Sequence, residues 1–173
     1  MAGSLIKIDE EIVTSAVASV TLGGTDWDSS YDVYMVKINK LEVDTDNTDL
    51  KLRFTESGTP NTTANYDTAS KVLISTTFTE NSQVNATSAD FSVNLGTGTG
   101  EQFNAILYIF NANNSSEYTF YTTENTAYDY VPRLLGKQGG GVLTVASAVD
   151  GVQIIGDGTD IDNGTFTLYG LAK

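Results

Sequence analysis

Apolar and polar residues alternate along much of this chain, and the runs that carry the alternation are short. Leu50, Leu52 and Phe54 take turns with Lys51, Arg53 and Thr55. Side chains two apart on a strand share a face, so this run predicts a half-buried strand, apolar inward and cationic or polar outward. Tyr31 to Leu41 reads the same way, with Tyr34, Val36 and Ile38 inward against Met35, Lys37 and Asn39. Ile12 to Leu22 has a spacing that would suit a helix. Its residues Val13, Thr14, Val17, Val20 and Thr21 are β-branched and stiff at χ1, so a strand is expected there.

Further strands are expected at Val72 to Thr77, Phe91 to Leu95, Gln102 to Phe110, Glu117 to Thr123, Val142 to Ala146, Val152 to Ile155 and Thr165 to Leu171. Gln102 to Phe110 is apolar at both phases, which predicts a central strand covered on two sides. In Glu117 to Thr123, Tyr118, Phe120 and Thr122 oppose Thr119, Tyr121 and Thr123. The polar stretches Glu56 to Ser70 and Glu80 to Ala89 read as loops, and Gly96 to Gly100 and Gly139 to Gly141 as breaks. No segment has a convincing helical pattern. About nine or ten strands at regular spacing predict an all-β fold, a two-sheet β-sandwich of jelly-roll or Greek-key type. Residues 1–173 are expected to form a single domain, with 1–10 as a possible N-terminal arm. If it is an arm, its alternation of Leu5, Ile6 and Ile8 would suit it to pair with the sheet edge of another subunit.

Composition narrows the chemistry. The chain has no histidine and no cysteine. It therefore lacks the side chain that titrates near neutral pH, the thiol nucleophile and the usual zinc ligands. It also cannot form disulfides. A formal charge of −13 argues against binding to nucleic acid or to an anionic membrane. The longest apolar run, Ala105 to Phe110, is far short of the ~20 residues needed to cross a bilayer. The first residues do not read as a signal peptide, and the Asn-x-Ser/Thr triplets at Asn61, Asn85, Asn113, Asn114 and Asn163 fit chance in a chain rich in these residues.

The candidate sites are few. Asp44-Thr45-Asp46-Asn47-Thr48-Asp49 and Asp157-Gly158-Thr159-Asp160-Ile161-Asp162 have the alternating oxygens of a calcium loop. The first lacks glycine at its sixth position and a glutamate at its twelfth, and the second is similarly incomplete, so turn-making explains both better. Paired carboxylates could hydrolyse glycosides, but no pair stands out. Trp27, in a polar turn, could stack on a sugar, cap one end of the sandwich or bury at an interface. Tyr121, Tyr128 and Tyr130 admit the same alternatives. No catalytic, cofactor-binding or metal-binding residue is assigned, and the chain is not expected to be an enzyme.

Several stretches resemble small β-sandwich structural modules in the virions of tailed bacteriophages. The closing run Asn163 to Leu171, with its Tyr169-Gly170-Leu171 ending, resembles their final strand. Leu50 to Thr55, followed by Asn65-Tyr66-Asp67, is similar to their Arg-Phe strand and Asn-Tyr loop. Tyr31-Asp32-Val33-Tyr34 is similar to a strand after a turn, and Met1 to Ile8 resembles openings common in marine phages, including cyanophages. The resemblance implies a non-enzymatic capsid decoration or cement protein on the outer surface of the particle. Its partners would be the major capsid protein or other virion proteins, and it would form a homo-oligomer, with a trimer favoured. A tail- or head-fibre module that binds a host glycan is the alternative. Lys7 and Lys173, near the ends, could reach an acidic partner.

Overall fold

The computed structural model describes residues 4–172, so Met1 to Gly3 and Lys173 lie outside the described residues. The described chain is all-β, with no helix, and builds two antiparallel sheets. The strands in chain order are β1 (Leu5–Val13), β2 (Ser19–Gly23), β3 (Tyr31–Val43), β4 (Asp49–Glu56), β5 (Thr59–Pro60), β6 (Tyr66–Ile74) and β7 (Thr77–Ala86). They continue with β8 (Ala89–Asp90), β9 (Phe103–Phe110), β10 (Thr119–Tyr128), β11 (Leu134–Leu143), β12 (Gly151–Asp157) and β13 (Ile161–Ala172). The larger sheet has eight strands in the order β1-β13-β3-β9-β10-β11-β6-β7. The smaller runs β2-β12-β4-β5, with β8 also paired to β4.

The core lies between the sheets. The smaller sheet contributes Leu50, Leu52, Phe54, Val152 and Ile154, and the larger contributes Tyr34, Val36, Ile38, Leu107, Ile109, Phe166 and Leu168. Each is at most 1% exposed, so the alternation read from the sequence is realised in β3 and β4. Burying each of the aliphatic or phenyl side chains contributes about 1.5–3 kcal/mol. A bulge in β3 between Ile38 and Leu41 shifts the phase, so Leu41 and Val43 also face inward. Lys40 takes a positive φ of 54° there, and its N–H donates to Asn104 Oδ1 at 3.0 Å.

Several elements differ from the sequence expectation, each for a physical reason. Ile12 to Leu22 is not one strand. Residues 14–18 carry the chain from the larger sheet to the smaller, held by a bridge between Val17 and Ile161. Of the expected arm, residues 1–10, the part from Leu5 onward belongs to β1 and pairs along β13 of its own chain, while Met1 to Gly3 lie outside the described residues. Glu56 to Ser70 contains β5 and the start of β6, and Glu80 to Ala89 is mostly β7. β7 looks like a loop because it is an edge strand with wet side chains, so no apolar alternation is required. Phe91 to Leu95 is buried but not a strand. The N–H groups of Phe91 and Ser92 both donate to Leu50 O, and Ser92 Oγ accepts the Leu50 N–H at 2.8 Å.

Gly139 to Gly141 does not break the chain but runs through β11. A Cβ on Gly139 would lie 2.3 Å from Ala69 O, and one on Gly140 would lie 2.4 Å from Tyr121 O. The flanking strands approach too closely for a side chain, which is a recognised use of glycine inside a sheet. In β10 the inward set is Thr119, Tyr121 and Thr123, leaving Phe120 and Thr122 outside. β9 is covered on one face only: Phe103, Ala105, Leu107 and Ile109 are buried, while Ile106 and Tyr108 are each 41% exposed.

Candidate functional site

The two aspartate-rich turns come together in space, at the junction of β3–β4 with β12–β13. Asp44 Oδ1 accepts from Thr159 Oγ1 at 2.7 Å, from Thr45 Oγ1 at 2.9 Å and from the Asp160 N–H at 3.0 Å. The Thr159 hydroxyl, with the Asp160 and Thr45 donors, holds the Asp44 carboxyl below the usual carboxylate range. Asp46 and Asp49 accept backbone N–H groups of Thr97 and Asn94. These acids therefore close turns in the way Asp does through backbone donors. Among the described residues, no group of three or more acids is placed to hold a metal ion.

Trp27 is buried at one end of the sandwich, 3% exposed, and so is closed to a stacking sugar. Its ring stacks on Tyr34 at 4.1 Å with an interplanar angle of 6°, and Tyr31 meets Tyr34 edge-on. The Tyr34 hydroxyl donates to Asp28 O and accepts from Asn113 Nδ2 at 3.0 Å. Burial, aided by the Asp28 charge, pushes its pKa up to about 12. Trp27 is thus an end cap, one of the three roles open to it in the sequence. Tyr121 is buried in the core, whereas Tyr128 and Tyr130 are 43% and 38% exposed.

The accessible feature is the outer face of the eight-stranded sheet. Strand register aligns three rows of side chains across it. Val33, Phe110, Phe120 and Val142 form the first, with Leu5 and Leu171 paired at the β1 edge. Tyr169, Met35, Tyr108 and Thr122 form the second. The third alternates in charge: Glu10, Thr167, Lys37, Ile106, Glu124, Gln138, Lys71 and Glu80. Phe120 and Tyr118 are 46% exposed, and Tyr108 and Ile106 41%. Two shallow grooves of about 430 and 420 Å³ lie on this face and share Ile106 and Glu124. The ten positions of the first two rows, at about 4.8 by 7 Å each, cover about 340 Å², the size of the largest apolar patch on an ordinary monomer. An apolar band of this kind is a candidate interaction surface.

Beneath the far end of the same sheet lies a polar cluster that the sequence reading missed. Lys137, on β11, is 2% exposed. Its Nζ donates to Asn81 Oδ1 at 3.1 Å and to Asp90 O at 2.9 Å. Desolvation lowers its pKa to about 8 against the pull of Asp90 and Asp49. Lys51 Nζ binds Asp90 Oδ1 at 2.5 Å and Asp157 Oδ2 at 3.4 Å. Burial works to lower the Lys51 pKa, but these two acids outweigh it and raise the value. The hydroxyls of Thr68 and Thr123, also buried, have no hydrogen-bond partner. One signal was available: Leu135 and Lys137 are two apart, so an inward Leu135 places Lys137 inward as well. Taking Gly139 to Gly141 as a break concealed that strand.

No known protein family, curated protein or solved structure matches this chain.

Proposed function

We propose that this chain is a non-catalytic structural module of a tailed-phage virion, a decoration or cement protein seated on the outer shell. The observation that carries the reading is the aromatic and aliphatic band on the outer face of the eight-stranded sheet. Its rim alternates Glu10, Lys37, Glu124, Lys71 and Glu80, which suits a partner with complementary charges. The formal charge of −13 disfavours face-to-face contact of two copies, so the band is assigned to a shell subunit, and the homo-oligomer that the resemblance implies would form through another surface. Bound copies bridging neighbouring subunits would stabilise the shell by mass action. The short motifs at Tyr31 to Tyr34, Leu50 to Thr55 and Asn163 to Leu171 support the same assignment.

The test is to image the particle and count the chain in it. Hundreds of copies with Phe120 and Tyr108 against the shell would support the reading. A dozen or fewer copies at the tail, together with signal on a glycan array, would replace it with the fibre-module reading. Sedimentation of the free chain covers a third outcome: a dimer dispersed by Phe120→Asp would mean that the band closes on a second copy.

A further inference from the structure

We propose that the free edge of β7 pairs with the β7 edge of a second copy of this chain, antiparallel and about a two-fold axis at Asn81, so that two eight-stranded sheets join into one. β7 is the last strand of the larger sheet and spans ten residues, Thr77–Ala86. The Asn81 carbonyl accepts from Ser70 Oγ of β6 at 3.3 Å, so the backbone groups of Asn81 face β6. Antiparallel geometry alternates that direction from residue to residue, so Phe78, Glu80, Ser82 and Val84 turn their N–H and C=O groups outward. A row of unpaired donors and acceptors of this kind is a template for another strand.

The other edges are blunted. β1 carries Lys7, Asp9, Glu10 and Glu11, with a register shift between Lys7 and Asp9. In the smaller sheet β2 has five residues, while β5 and β8 have two each, and β5 contains Pro60. Charge, bulges, proline and short length are the usual protections of an edge. β7 holds one charged residue, Glu80, and neither lysine nor proline. Its register shift comes at its far end, where Asn85 takes a φ of 53°. From beneath, Asn81 Oδ1 accepts from Lys137 Nζ at 3.1 Å and Gln83 Oε1 accepts from the Asp90 N–H at 2.9 Å, which holds the strand in place.

The occupant follows from β7 read against itself. With the axis at Asn81, Phe78 lies opposite Val84 of the second copy and Glu80 opposite its Ser82, and each pair occurs twice. Phe78 and Val84 are 74% and 71% exposed, so the pairing covers the two apolar side chains that a single chain leaves wet. The outward residues meet one another in this register and exchange about eight hydrogen bonds. An axis at Glu80 would set two like charges opposite each other, and one at Ser82 would set Glu80 against Val84. With the axis at Asn81 the two Glu80 residues are diagonal, their Cα atoms about 8.7 Å apart. Each also has Lys71 opposite it on β6, so the edge is close to neutral. Charge elsewhere on the two copies is screened beyond about 8 Å at physiological ionic strength. Edge pairing leaves the outer band free for a shell subunit.

Sedimentation of the purified full-length chain tests the edge. A dimer is expected, and Ser82→Pro is expected to disperse it with the β-sheet circular dichroism signal unchanged, because proline there removes an outward N–H and nothing that β6 uses. A monomer at every soluble concentration, a trimer, or a dimer that survives Ser82→Pro would overturn the proposal. The chain has no cysteine, so introduced thiols read the register. On mild oxidation a mixture of Glu80→Cys and Ser82→Cys chains is expected to form a disulfide-linked dimer, since the paired Cα atoms lie about 5.5 Å apart. Either variant by itself places its thiols on Cα atoms about 8.7 Å apart, too far to bridge, and is expected to stay unlinked. Linkage in one variant alone, or none in the mixture, would overturn this register.

Discussion

The two ends of the eight-stranded sheet solve the same packing problem with opposite chemistry. Around β13, β3 and β9 the inward side chains are Phe166, Leu168, Val36, Ile38, Leu107 and Ile109, all within 1% of full burial. They face the long strands β4 and β12 of the smaller sheet, which return matching apolar surface. Around β11, β6 and β7 the inward positions include Lys137, Thr68 and Asn81. That end meets β8, a strand of two residues, whose Asp90 supplies a carbonyl and a carboxylate. β11 and β6 also bury Leu135, Leu143, Tyr66 and Val72, so the polar cluster is a local inclusion beside the short β8. A long cover excludes water and favours hydrocarbon, whereas a short one leaves backbone acceptors that polar side chains must satisfy.

The largest expected effect is at the apolar end. Phe166→Ala should cost about 3–5 kcal/mol in denaturant unfolding, through lost burial and the cavity left behind. A loss below 1 kcal/mol would mean that the two ends are not as different as their packing implies.

The polar end should respond to pH instead. Lys137 is a buried amine, 2% exposed. Its folded pKa of about 8 lies below the 10.5 of the unfolded chain, so the unfolded state binds more protons between those values. Stability should therefore rise by roughly 3 kcal/mol from pH 8 to pH 10.5. Tyr34 and Tyr66 have the opposite sign. Both are raised to about 12, chiefly by burial, and contribute stability that is lost as pH climbs from 10 towards 12. The interval from 8 to 10 thus isolates the lysine. Lys137→Met has no amine to titrate there and should be flat, as urea midpoints of the two chains across that range would reveal.

Smaller effects belong to the surfaces. Phe120→Asp, on the outer band, should change stability by no more than about 0.5 kcal/mol while abolishing retention on particles, read by co-sedimentation. Unimpaired retention would separate the band from docking. At the acidic limit, Asp44 has a folded pKa below 3.8, so its contribution is present above that value and fades as pH falls through the lowered one. Asp44→Asn should slightly flatten the acid limb of the stability curve measured by circular dichroism.

The sequence alone determined the fold class and much of the core. In β3 and β4 the faces were legible because a period of two is a local property of the chain. It also limited the chemistry, since absent histidine and cysteine need no coordinates to be noticed. Tertiary structure decided the rest. Wet faces leave no apolar period, so β7 read as a loop, and the close approach that requires Gly139 and Gly140 comes from strands distant in sequence. The exposure of Ile106 and Tyr108 depended on the second sheet covering only one face of β9. The meeting of Lys137 with Asn81 depended on the order β11-β6-β7 in the sheet. Local pattern fixes which way a side chain points, but strand order fixes what it meets.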